Sequence, residues 1–349
     1  MPALRALAGA AAIATATTAF TAVPAAAHTT DHVRCKTSAL TAAITKANAQ
    51  GFGELSLAKG CVYDFTAPFS SDDATPPITV PVTVDGNGAT LRRGTTANFF
   101  RLLDVATGGR ATLSNLKIEN GNVTGDGGGL LVQNGGTLHA TNLLVKGNTA
   151  SNNGGGIENL GTLRLIRSRV TDNNAPGSGG GISSEGTTSV ISTSIDGNSA
   201  SRFFGGGVFN DNMITITRSS ITGNRVTEGD GGGLWNNFQM TVNDSKIVDN
   251  TASDHGGGVT NAQLGRATFN SSTITKNTAG LQAGGIYNVD AGSYLVLNLS
   301  SVTQNKAGNA PGGVFNDTGD VVVNKHSLIT GNLPTNCMGS PSLVAGCTG

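Results

Sequence analysis

Two groups of residues in this 349-residue sequence are of types and spacings that could do chemistry. The first is aromatic. Phe209, Trp235, Tyr287 and Phe315 each follow a glycine-rich triplet and one aliphatic residue, so they share one position of a repeating unit with Leu131, Glu158, Ser183 and Thr260. Only 5% of the chain is aromatic, and four rings at one position are a concentration. Flat rings spaced along an outer face can stack on sugar rings. The alternative is that they stack on one another beneath a loop and shield the sheet. The second group is acidic: Asp126, Glu158, Glu185, Asp211, Glu228, Asp230, Asp244 and Asp254, with His255 beside the last. Paired carboxylates are tools for general acid–base work. Here they scatter over several repeat positions. Asp126, Asp230 and Asp254/His255 gather loosely before the glycine triplets, but Asn153, Ser178 and Phe204 hold that place in the units between. No catalytic residue is assigned.

The elements that position these groups follow from the repeat. Glycine triplets begin at Gly127, Gly154, Gly179, Gly205, Gly231 and Gly256, with degenerate copies at Ala283 and Pro311, so successive starts are 25 to 28 residues apart. A second marker keeps the same step: Ile or Val three residues before Asn, from Val145/Asn148 through Ile221/Asn224 to Ile329/Asn332. Two markers holding one period mean a solenoid. Each unit divides into three short extended pieces, such as Gly206-Gly207-Val208, Ile214-Thr215-Ile216 and Ser219-Ser220-Ile221. Alternation with period two gives strands with one buried face, and glycine and β-branched residues oppose helix. The predicted fold is all-β: a right-handed parallel β-helix of about 26 residues per coil, three short strands each, with neighbouring coils ~4.8 Å apart. Leu163, Leu165, Ser168 and Val170 point inward in one coil. A serine column (Ser168, Ser219, Ser245, Ser272, Ser300, Ser327) marks a tight interior corner. Two asparagine columns, Asn148 to Asn332 and Asn159 to Asn316, are expected to form ladders, since Asn tolerates left-handed turns and its amide can bond its counterpart one coil away.

The stretch from Gly127-Gly128-Gly129-Leu130 onward resembles bacterial secreted β-helix repeat proteins of the pectin-lyase-like superfamily, and its Gly-Gly-Gly-aliphatic and Ile-x-x-Asn markers are similar to polymorphic outer-membrane protein repeats. Cys35 to Asn48, then Leu55-Ser56-Leu57 and Lys59 to Tyr63, resemble the capping helix and first coil of such proteins. The likeness covers roughly residues 33–336. It implies a polysaccharide-directed protein, including the alternative of an enzyme. Cleavage of uronic-acid chains would need a basic residue beside a charge-neutralising group, for which Arg164, Arg169, Lys146 and Lys246 are the basic candidates; hydrolysis would need two facing carboxylates. Motifs of the family's polygalacturonases and pectate lyases are not recognisable.

Composition bounds the rest. Charged residues are 13% of the chain and the formal net charge is zero, so the basic footprint of a nucleic-acid partner is missing. Residues 1–27 read as a signal peptide: Arg5, an alanine-rich stretch, then Ala25-Ala26-Ala27 before His28. No later apolar run reaches the ~20 residues of a membrane span. A secreted, extracellular protein is expected. Cys35, Cys61, Cys337 and Cys347 are an even number for an oxidising compartment; three pairings are open, local pairing within each end being the simplest, and the spacings fit no zinc pattern. Neither a metal nor a cofactor is predicted. Residues 28–62 form the N-terminal cap, with a helix from Thr37 to Ala49 stopped at Gly51; 63–332 form the β-helix; 333–349 form a C-terminal cap. The expected function is binding or structural: contact with an extracellular polysaccharide or surface through the stripe Phe209, Trp235, Tyr287 and Phe315.

Overall fold

The computed structural model describes residues 29–349, so the leader read over 1–27 lies outside the described residues. The chain is a parallel β-solenoid of about 11 turns with about 27 residues per turn. Every named strand pair is parallel, as successive coils of one winding must be: Ile157 pairs with Ile182, Ile182 with Val208 and Val208 with Leu234. Sheets of 21, 9 and 8 strands run the length of the stack. The largest carries two strand positions per coil, for example Met213–Thr217 and Ser220–Thr222. Beyond the three expected pieces, each repeat coil has a fourth of two residues, such as Ser199–Ala200 and Arg225–Val226. A polar residue plus a small apolar one is too short to show alternation in sequence.

Corners explain how so short a unit closes. Each coil turns at residues held in the left-handed region. One corner is Arg167, Ser192, Arg218, Asp244, Ser271 and Leu299, all with φ between 47° and 49°. The next is Gly147, Asp172, Gly197, Gly223, Asp249 and Lys276. The third is the first glycine of each triplet. The left-handed residue is thus the one before each Asn of the Asn148–Asn332 column, and those asparagines are not themselves in that region. Their role is the ladder. Each Nδ2 from Asn148 to Asn305 donates to the Oδ1 of its counterpart one coil on, at 2.9 to 3.0 Å. The serine column behaves alike, with Thr193 filling one place: the Ser219 amide donates to Ser245 Oγ at 3.0 Å, and the Ser168 amide to Thr193 Oγ1 at 3.1 Å. Buried polar groups therefore find partners along the axis, which removes the desolvation penalty of an unpaired amide.

The core is a continuous aliphatic column. Leu163, Leu165, Val170, Ile182, Ile195, Val208 and Ile221 are all buried. The helix runs Thr37–Gln50 and ends at Gly51, whose φ is 83°. Leu40, Ile44 and Ala47 face the first coil, and Gly53 lies so close to Ala47 that a Cβ there would overlap it. The cysteines pair locally, Cys35 with Cys61 and Cys337 with Cys347. Among the described residues no helix is long and apolar enough to cross a membrane.

Candidate functional site

The outer column beside the glycine triplets aligns as the repeat requires. Ser183, Phe209, Trp235, Thr260, Tyr287 and Phe315 pair in unbroken register, and the same column extends back through Glu158 and Leu131 to Asp104. Its exposure is another matter. Trp235 is only 5% exposed: the Phe204 ring stacks on it at 3.7 Å, and its Nε1 donates to Asn237 at 2.6 Å. Thr260 is fully buried and breaks the aromatic run. Tyr287 lies under the His255 ring at 4.5 Å and against Phe315 at 5.1 Å. Phe209, Tyr287 and Phe315 are half-buried. Trp235 and Tyr287 thus lie beneath residues that precede the triplets.

Those preceding residues have structural work. Asp126 accepts the Asn153 amide, Asn153 the Ser178 amide and Asp230 the His255 amide, each one coil on. His255 Nδ1 also lies 3.0 Å from Asp230. Burial pulls the His255 imidazole down, but the hydrogen bond to Asp230 and that carboxylate's charge, with Gln282 and Asp254, together outweigh it and the net shift is upward. Burial beside Asp230 pushes the Tyr287 phenol up to about 12. Of the basic candidates, Arg169 is spent on Asp196 at 2.6 Å, and Lys146 lies 3.9 Å from Asp172.

The acidic residues are less scattered than their repeat positions suggest. Glu158 is 2% exposed; burial, then Asp126, holds its carboxyl well above the usual range, and only Oε1 has a partner, the Ser183 hydroxyl at 3.1 Å. Burial, then Asp211 and Asp126, likewise raises Glu185. Asp104, which the sequence analysis missed, is pushed to about 6 by burial and by Asp73. Asp73 in turn pairs with Arg101 at 2.9 Å. Its strand Leu103-Asp104-Val105 pairs with Leu130-Leu131-Val132, but no glycine triplet precedes it, so the marker that flags the other coils is missing.

Beside this acidic stretch the solenoid leaves a groove of about 600 Å³ across four coils. Its floor is the residue before each strand of the large sheet: Gly136, Gly161 and Gly186, then Asn212. A Cβ at Gly161 would overlap the Gly136 carbonyl oxygen, and one at Gly186 the Gly161 carbonyl oxygen, so the floor is bare backbone. Asn134, Thr162, Glu185 and Asn212 offer hydrogen-bonding side chains along it. The next coil places Phe238 in the same column, its strand neighbour Gln239 donating to the Asn212 carbonyl at 2.9 Å. Phe238 is 54% exposed. No sequence signal marked it, because it stands in a loop outside the repeat markers. Among the described residues no three His, Cys, Asp or Glu side chains converge as a metal site. No family model, curated protein or solved structure matches the chain.

Proposed function

We propose that this protein is a secreted β-helix of the pectin-lyase-like type with a binding role, contacting an extracellular polysaccharide through the glycine-floored groove rather than through the half-buried aromatic stripe. The observation that carries this reading is the pairing of a long polar groove with one exposed ring, Phe238, on its own column. A sugar polymer lying along the solenoid axis would meet amide and carboxyl partners at Asn134, Glu185 and Asn212, and an aromatic face at the end. Two local disulfides and the alanine-rich leader suit an oxidising, extracellular setting. Retention on a panel of insoluble polysaccharides tests it. Phe238→Ala should abolish retention while Trp235→Ala, if folded, should keep it; the reverse result returns the site to the stripe.

One observation favours hydrolysis as a second reading. Glu185 and Asp211 stand on adjacent coils, and Glu185 is raised with Asp211 among its causes. Two neighbouring carboxyls are what glycoside hydrolysis uses. New reducing ends that vanish in Glu185→Gln would establish an enzyme; unsaturated products would instead indicate lysis.

A further inference from the structure

One wall of the groove is a ladder of hydroxyls. Thr137, Thr162 and Thr187 each open a strand of the large sheet, and all three line the groove. They pair in unbroken register, Thr137 with Thr162 and Thr162 with Thr187, so the wall offers one hydroxyl per coil at a step of ~4.8 Å. Among the described residues none of these three hydroxyls has a hydrogen-bond partner. Elsewhere on the sheet such groups are spent: Thr303 donates to Thr275 at 3.2 Å and Thr171 to Asp196 at 2.9 Å. The same column continues through exposed Met213 to Gln239, beside Phe238, so along the axis the wall passes from hydroxyls to apolar surface.

A straight groove with a fixed step selects for chain shape. In a β-1,4-linked glycan each sugar advances the chain by nearly one coil spacing, and the chain stays flat and extended. An α-1,4-linked glucan curls and leaves a straight groove within a few sugars. Successive sugars of the extended chain are flipped, but a threonine hydroxyl rotates and both donates and accepts, so it can meet either edge. The floor at Gly136, Gly161 and Gly186 carries no Cβ atoms, which lets flat rings settle close to the backbone.

We propose that the groove takes an extended β-1,4-linked glycan, one sugar per coil, with Thr137, Thr162 and Thr187 as its specificity-determining residues; this rests on the groove being the glycan site. Each hydroxyl contact replaces one with water, so losing one weakens binding about fivefold.

The test uses the full chain and uncharged six-sugar oligomers. Cellohexaose and maltohexaose differ in linkage alone; β-1,4-mannohexaose and N-acetylchitohexaose are further extended chains. Affinities are measured by calorimetry. At least one β-1,4 oligomer should bind, with maltohexaose about tenfold or more weaker, since a curled chain keeps one hydroxyl contact at most. Thr162→Val keeps the side chain's shape without its hydroxyl and should weaken the β-1,4 oligomer about fivefold. Thr268→Val makes the same change on the sheet face two coils beyond the groove and should leave binding as it was. Equal or tighter binding of maltohexaose overturns the linkage selectivity. Parent-like binding by Thr162→Val, or an equal loss in Thr268→Val, overturns the role of the threonine wall. Phe238-dependent retention on an insoluble polysaccharide without binding of any β-1,4 oligomer would leave the glycan site standing and overturn the extended-chain assignment. With neither retention nor binding, the glycan reading itself fails and this inference falls with it.

Discussion

The ring of Phe204 lies 3.7 Å from the indole of Trp235, nearly parallel to it at 23°. The two sit on successive coils, Phe204 just before its triplet and Trp235 just after the next. One is therefore the lid of the other. Because Trp235 is the only tryptophan in the chain, the pair reports on itself. Phe204→Ala should expose the indole, move its emission to longer wavelength and raise its quenching by iodide. It should cost about 1–3 kcal/mol of stability, the stacking contribution plus lost burial. Unchanged emission in a folded variant would show that something other than Phe204 covers the indole.

The glycines make a sharper pair of expectations. Gly206 is the middle of its triplet, where a Cβ would overlap the Arg225 carbonyl of the next coil. Gly223 is a corner residue with φ of 63° and open space where its Cβ would stand. Gly206→Ala has to push two coils apart and should lower the urea midpoint severely. Gly223→Ala meets only the left-handed penalty, about 1 kcal/mol, and Gly223→Asn less still, since Asp172 and Asp249 hold the equivalent corner. Denaturant titration of the three variants gives the order. A Gly206→Ala midpoint close to that of Gly223→Asn would overturn the close-approach account.

These glycines also show what could be read from the chain alone and what could not. Periodicity exposed the coil because inward Val170, Ile195 and Ile221 recur at one step, and burial is repeated in each unit. The Asn ladder was legible for the same reason, although the left-handed residue proved to be its predecessor, Gly147 or Asp172, whose type varies. The surface was not legible. An outward position says nothing of what folds over it, and Phe204, Asp230 and His255 differ from coil to coil. Phe238 and Asp104 escaped notice because one stands in a loop and the other in a coil without the glycine triplet.

The buried carboxyls predict the pH at which the fold is strongest. Asp104 titrates at about 6 in the folded chain, against an ordinary value near 3.9. A carboxyl raised on folding binds its proton more readily when native, so stability rises as pH falls through the folded value and levels off below the unfolded one. Glu158 is raised in the same direction, by burial first and Asp126 second. His255 is raised too, and for an imidazole this means stability fully present below about 6.5 and lost as pH climbs through the higher folded value. All three contributions therefore favour mild acid. The urea midpoint should increase from pH 8 to pH 5, with Asp104 accounting for about 1 kcal/mol of the gain. Asp104→Asn keeps an amide in the same place without its charge; it should raise the midpoint at pH 8 and flatten the profile. A midpoint that falls steadily from pH 8 to pH 5 would mean that these groups are ionised and well paired in the native coil.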